Sequence, residues 1–131
     1  MTDTHVLVVD DQANVRQLLL DALEQLEVPS ESAANGLVAL QRIQDAPPKA
    51  IILDLMMPEM DGFSLITRLQ GDRRLRHIPI IVMSAAFAGD PDRYYFLPGV
   101  VAVMNKTDFS ISTFRELLLK AGIVTGIQSA V

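Results

Sequence analysis

The chain has 131 residues, half of them hydrophobic and 21% charged, with seven each of Gly and Pro. This composition suits one globular domain that buries roughly two thirds of its unfolded surface. The absence of Cys excludes disulfides, thiol nucleophiles and zinc–thiolate sites. A net charge of −5 argues against direct nucleic-acid binding through the global field. No apolar run approaches a membrane span, and Met1-Thr2-Asp3-Thr4-His5 has no signal-peptide character, so a cytoplasmic location with no membrane partner is expected.

In chain order, Val6-Leu7-Val8-Val9 is a continuous β-branched run that stops at Asp10-Asp11, the pattern of a strand buried on both faces. Val15, Leu18, Leu19, Ala22, Leu23 and Leu26 then form one helical stripe, ended by Pro29. Ser30 to Ala34 reads as an edge strand, and Asn35-Gly36 opens a helix carrying Leu37, Leu40 and Ile43 that Pro47-Pro48 closes. Ala50 to Leu53 repeats the first strand's pattern and ends on Asp54. After a turn from Met57 to Gly62, the residues Phe63, Ile66 and Leu69 mark a third helix. Pro79 to Met83 is a buried strand that stops at Ser84, and Val100 to Met104 is another that ends at Asn105-Lys106. A last helix carries Phe114, Leu117, Leu118 and Ala121, with Ser112 expected as its N-cap.

Between the last two strands, Asp90-Pro91 opens a helix, but Pro98 confines it to about two turns, Pro91 to Phe96, too short to be stable alone. Five apolar strands alternating with helices predict an α/β fold, a (βα)5 parallel sheet covered on both faces, with a short or irregular fourth helix. The whole chain, 1–131, is expected to be one domain with a core at about 6–121 and a short tail at 122–131.

Four strands end in chemically capable residues: Asp10-Asp11, Asp54, Ser84 and Lys106. Open parallel sheets bind ligands at the carboxyl ends of their strands, where the order reverses. If that order is 2-1-3-4-5, the first and third strands are neighbours and three carboxylates converge. Such a cluster repels itself and calls for a cation, and its hard oxygens favour Mg2+ over zinc or copper. Taken singly, each Asp would be read as a turn former or helix cap, and Lys106 as a solvated charge.

As a set, Asp10-Asp11, Asp54-Leu55-Met56-Met57-Pro58-Glu59-Met60-Asp61-Gly62, Ser84-Ala85 and Lys106 resemble the receiver domain of two-component response regulators, over essentially Val6 to Ala121. The resemblance implies the flavodoxin-like strand order 2-1-3-4-5. It implies that Asp54 accepts a phosphoryl group from a phosphohistidine, on a sensor histidine kinase or a histidine phosphotransfer protein. Asp11 would bind Mg2+ directly, Asp10 would hold metal-bound water, and the Met56 carbonyl would add an oxygen ligand. Lys106 would supply positive charge, and Ser84 would donate its hydroxyl to the phosphoryl group. Such a stand-alone domain would catalyse its own phosphorylation and dephosphorylation, not turn over a small molecule. Its output would pass to an unknown downstream protein, with a homodimer also allowed.

Two positions depart from the family pattern. Thr107 stands where a cis proline usually follows the lysine, so the Lys106–Thr107 peptide is either trans with a remodelled loop or held cis at a cost of about 2.5–4 kcal/mol. Val103 replaces an aromatic on the fifth strand, and its restricted χ1 cannot swing in the same way. A switch or partner face of Ser84, Tyr94, Tyr95, Phe96 and Val103 is therefore expected to work through the segment 87–98. These departures favour a competing reading, a receiver-like scaffold that binds a partner independently of phosphate. A metal-dependent phosphatase fits less well, because Met56 stands where a second acid–base Asp would be needed. His5 and His77 are expected at the surface, and Arg68, Arg73, Arg74 and Arg76 form a basic run with no assigned role.

Overall fold

The structure is a computed structural model that describes residues 5–57, 60–84, 94, 96–106, 109–123 and 125, with the Ser84 side chain excepted. Its elements, in order, are β1 (Val6–Val9), α1 (Ala13–Gln25), β2 (Ser30–Ala33), α2 (Gly36–Asp45), β3 (Ala50–Asp54), α3 (Gly62–Gln70), β4 (Ile80–Ser84), β5 (Val100–Asn105) and α4 (Ile111–Lys120). All strand pairs are parallel and the sheet order is β2-β1-β3-β4-β5. The first and third strands are therefore neighbours, as the site requires.

The apolar runs form strands because both faces are buried. Alternate residues of β1 and β3 enter two separate cores: Val6, Val8, Ala50 and Ile52 pack with α1 and α4, and Leu7, Val9, Ile51 and Leu53 pack with α2 and α3. With period-2 side chains, a sheet clad on both sides needs continuous apolar runs rather than alternation.

The starts of α2, α3 and α4 are set by side-chain caps. Asn35 Oδ1 accepts from the Val38 N–H at 2.9 Å, and Asp61 Oδ1 accepts from the Ser64 N–H at 2.8 Å. The expected cap Ser112 is corrected: Ser110 caps α4, its Oγ accepting from the Thr113 N–H at 3.2 Å. Phe109 before that cap and Phe114 four residues into the helix lie with ring centroids 5.5 Å apart, a hydrophobic staple that fixes the chain's entry.

Three stripe residues, Leu18, Leu37 and Phe63, are exposed, because each sits on a flank of its helix that no other element among the described residues covers. His5 is also corrected: it is 4% exposed, and its Nε2 lies 3.0 Å from Glu31 Oε2 on β2. The cause is its place at the foot of β1, where its carbonyl accepts from the Lys49 N–H at 2.8 Å. His77 is exposed, as expected.

The short helix expected over Pro91 to Phe96 lies largely outside the described residues. Of its aromatics, Tyr94 is 7% exposed and belongs to the α2–α3 core, while Phe96 is 89% exposed. Tyr95 is not among the described residues. No described helix is long and apolar enough to cross a membrane.

Candidate functional site: a carboxylate cluster with a shared ammonium

Asp10 follows β1 and Asp54 ends β3, so the β1–β3 pairing, Val9 opposite Leu53, brings them side by side at the carboxyl edge. Each of Asp10, Asp11 and Asp54 offers a carboxylate oxygen, and these oxygens all lie within 4.8 Å of one another. Asp10 is 1% exposed and Asp54 5%, whereas Asp11 faces solvent.

The Lys106 ammonium, just past β5, reaches 94 positions back in sequence. Its Nζ lies 2.9 Å from Asp10 Oδ2 and 3.2 Å from Asp54 Oδ2, and it donates to Gln12 Oε1 at 3.3 Å. Three acceptors thus meet an ammonium with three protons.

Local backbone bonds orient the carboxylates. Asp10 Oδ1 accepts from the Gln12 N–H at 2.9 Å, and Asp54 Oδ1 accepts from the Met56 N–H at 3.1 Å. Arg16 Nη1 donates to the Asp10 carbonyl at 2.8 Å, tying α1 to the end of β1. Sequence reasoning missed Gln12 and Arg16. Gln12 occupies the α1 N-cap yet makes no side-chain cap bond, since its amide oxygen is turned to Lys106. The only sequence signal was a Gln where Ser, Thr, Asp or Asn would ordinarily cap.

Glycine also shapes the site. A Cβ on Gly62 would lie 2.7 Å from Leu55 Cα and 2.8 Å from the Asp54 carbonyl oxygen. Only glycine lets α3 begin this close to the end of β3.

Burial raises the Asp54 pKa above the ordinary 3.8. The Met56 N–H bond opposes this, the nearby Asp10 charge adds to it, and Lys106 offsets part. For Lys106, burial alone would lower the pKa from 10.5, but its bonds to and attraction by Asp10 and Asp54 prevail and raise it.

The oxygen-only donor set fits a hard divalent cation such as Mg2+. Ser84 ends β4 opposite Asn105 and one residue beyond the Asp54–Met83 pair, which puts its backbone at the same sheet edge. Thr107 lies outside the described residues, as do Pro58 and Glu59 of the Asp54 motif. Val103 is half-buried on β5 against the α2–α3 core.

With this fold and cluster in place, comparison with known proteins gives the class. The chain belongs to the response regulator receiver domain family, whose model matches residues 6–116, and so to the receivers of two-component signalling. It is 44% identical over 120 residues, 90% of its length, to the response regulator PleD of Caulobacter vibrioides, and spans 25% of that protein. Over 82 residues, 60% of the chain, it is 44% identical to a protein-glutamate methylesterase/protein-glutamine glutaminase of Rhodopseudomonas palustris, of which it spans 21%. The chain thus covers only about a fifth to a quarter of these relatives. Among solved structures it is similar to the Vibrio cholerae chemotaxis protein CheY4, with a TM-score of 0.80 at 26% identity, covering 90% of this chain and 98% of that one.

Proposed function

We propose that the chain is a phosphorylation-dependent switch whose phosphoacceptor is Asp54. The observation that carries this reading is the convergence of Asp10, Asp11, Asp54 and Lys106 on one oxygen-lined site. An Asp54 carboxylate oxygen attacks the phosphorus of a phosphohistidine on a sensor kinase or phosphotransfer partner. The P–N bond breaks, the imidazole leaves and takes up a proton, and an aspartyl phosphate remains.

Phosphoryl transfer asks the protein mainly for positioning and charge neutralisation. The Met56 N–H holds one Asp54 oxygen at 3.1 Å, which leaves Oδ2, the oxygen facing Lys106, as the attacking atom. Lys106 then neutralises the arriving phosphoryl oxygens, and the Ser84 hydroxyl donates to one of them. Asp11 and Asp54 carboxylates, with the Met56 carbonyl, would hold Mg2+, and Asp10 would hold its water. When bound, the ion supplies two positive charges to offset the developing negative charge. Three carboxylates, one divalent ion and one ammonium sum to zero, so the site accepts an incoming dianion without a starting deficit.

Signal output on this reading passes through protein contacts at the face carrying Ser84, Tyr94, Tyr95, Phe96 and Val103. The deciding experiment is intact mass after incubation with Mg2+ and acetyl phosphate. One phosphate should appear, and it should be absent with chelator or in Asp54→Asn. Labelling that persists in Asp54→Asn would refute the acceptor. No labelling at all, with Mg2+ shown to bind, would favour a phosphate-independent scaffold.

A further inference from the structure

The end of the sheet opposite Asp54 is sharply divided in charge. Arg68 lies in the last turn of α3, and Arg73, Arg74 and Arg76 follow in the loop to β4. These are four of the chain's eleven cationic Lys and Arg side chains within nine residues, alongside a single acid, Asp72. All four arginines are exposed. Asp72 Oδ2 pairs with Arg74 at 3.5 Å; among the described residues no carboxylate pairs with Arg68, Arg73 or Arg76.

The loop is well fixed. Leu75 and Ile78 are buried in the α2–α3 core, the Leu75 and Arg76 N–H groups both donate to the Asp72 carbonyl, and Gln70 Nε2 donates to the Arg76 carbonyl at 3.2 Å. Three unpaired guanidinium groups thus stand on a loop that is already ordered, where ordering costs little on binding.

Across the same end lies the opposite charge. The end of α1 and the turn into β2 form a depression of about 500 Å3, lined by Asp21, Glu24, Glu27 and Pro29 among others. The three acids are exposed, and among the described residues Glu24 and Glu27 meet no cation. Neither helps its own fold: Glu24 sits at the negative end of a helix with no base in its last turn. Glu27 takes φ 59°, a conformation glycine adopts more readily.

Parallel pairing places both features at one end: Ser30 opens β2 beside Val6, and Ile80 opens β4 beside Ile51. They lie on opposite faces of the sheet, since α1 packs in one core and α3 in the other. The strands they lead into are three spacings apart, roughly 14 Å.

We infer that this end is a self-complementary docking surface, on which a second copy of the chain seats its arginine loop in the acidic depression and receives the partner's loop in its own. A two-fold axis perpendicular to the strands brings the two ends face to face, makes both contacts at once and closes the assembly at two copies. A nucleic acid or anionic membrane suits this end less well, because a uniformly negative surface that meets the arginines also meets Asp21, Glu24 and Glu27. The arrangement leaves both Asp54 sites at the far ends, open to other partners.

Sedimentation equilibrium of the full chain tests it. A dimer is expected at low ionic strength, with a dissociation constant that rises at least tenfold between 20 and 300 mM salt, because exposed ion pairs are screened. Arg73→Glu/Arg76→Glu and Glu24→Lys/Glu27→Lys should each be monomeric alone, through like-charge repulsion. Their equimolar mixture should associate, since both contacts again join opposite charges. A monomeric wild-type chain at low salt, dimers of either variant alone, or a mixture that stays monomeric would each overturn the proposal. Tighter binding of the wild-type chain to duplex DNA or anionic vesicles than to itself would do the same.

Discussion

The ammonium of Lys106 lies 2.9 Å from the carboxylate of Asp10, one of the least exposed charged groups among the described residues. The pair joins the ends of β1 and β5, which are separated in the sheet by β3 and β4. It therefore closes the site across two intervening strands and spans the mouth in which Asp54 sits.

Removing this ammonium leaves buried carboxylates unpaired. Lys106→Met should lower stability by about 3 kcal/mol, the low end for a broken buried pair, because the lysine keeps some contact with water. Urea unfolding in EDTA measures the loss. Millimolar Mg2+ should recover part of it, and an unchanged midpoint in EDTA would mean that the crowding of these charges costs little.

The raised pKa of Asp54 sets a pH dependence of definite sign. Its charged form is disfavoured in the folded protein relative to the unfolded chain. The metal-free protein should therefore gain stability as pH falls from 7 through that raised pKa towards 3.8. Asp54→Asn should flatten this dependence and stabilise the metal-free protein at pH 7. The Lys106 shift adds no slope there, since its stabilising effect is fully present at these pH values and is lost only as pH rises above 10.5. Thermal unfolding from pH 4 to 8 with EDTA tests both statements.

Metal binding should appear as stabilisation. At a Mg2+ concentration a hundred times its dissociation constant, the folded state should gain about 2.7 kcal/mol. Asp11→Ala should abolish most of this gain while leaving the EDTA baseline almost unchanged, because Asp11 is exposed. Calorimetric titration that finds full-strength Mg2+ binding in Asp11→Ala would remove Asp11 from the ligand set.

Gly62→Ala places a methyl group against the backbone at Leu55 and Asp54, which cannot give way as a flexible side chain would. A loss of about 1–3 kcal/mol is expected, and because the displaced atoms include the Asp54 carbonyl, the phosphorylation rate should fall as well. Gly71→Ala, whose added carbon would meet only ordinary contacts at 3.5 and 3.8 Å, is the matched control and should be nearly silent.

The switch face calls for a mimic. Beryllofluoride with Mg2+ should increase hydrogen-exchange protection from Tyr94 through Val100 while leaving β1 and β3 unchanged. The expectation follows from Tyr94 lying in the core and Phe96 outside it only two residues later, which leaves Phe96 free to gain cover when the mimic binds. Unchanged protection with the mimic bound would favour the phosphate-independent scaffold.

Much of the architecture was legible because continuous apolar runs have one common solution, a strand clad on both faces, and because Asp10, Asp54 and Lys106 each end such a run. Periodicity identified which side of α1 and α3 faces the sheet, but for α2 it named Leu37 and Leu40 where Gly36 and Ala39 are the buried positions beside Ile43. It could not say how far cover extends, so Leu18, Leu37 and Phe63 read as core and are exposed. Ser110 and Ser112 both suit a cap by residue type; Phe109 and Phe114, at the staple spacing, were the signal that separates them. His5 resisted for a different reason: its burial depends on Glu31 from another strand and on Lys49 beyond α2, contacts that leave no local trace. Gln12 was hidden likewise, since its role depends on a lysine 94 positions away.

That sequence distance has a consequence for how the molecule is made. β1 can pair with β3 once about 55 residues have emerged during synthesis, which brings Asp10, Asp11 and Asp54 together, while Lys106 is still to be joined to the chain. Parallel pairing across long separations is slow in any case, and here the early partners repel one another. The nascent chain should therefore hold its central strands loosely until β5 arrives with the counter-charge, so that completing the sheet and completing the site are one event.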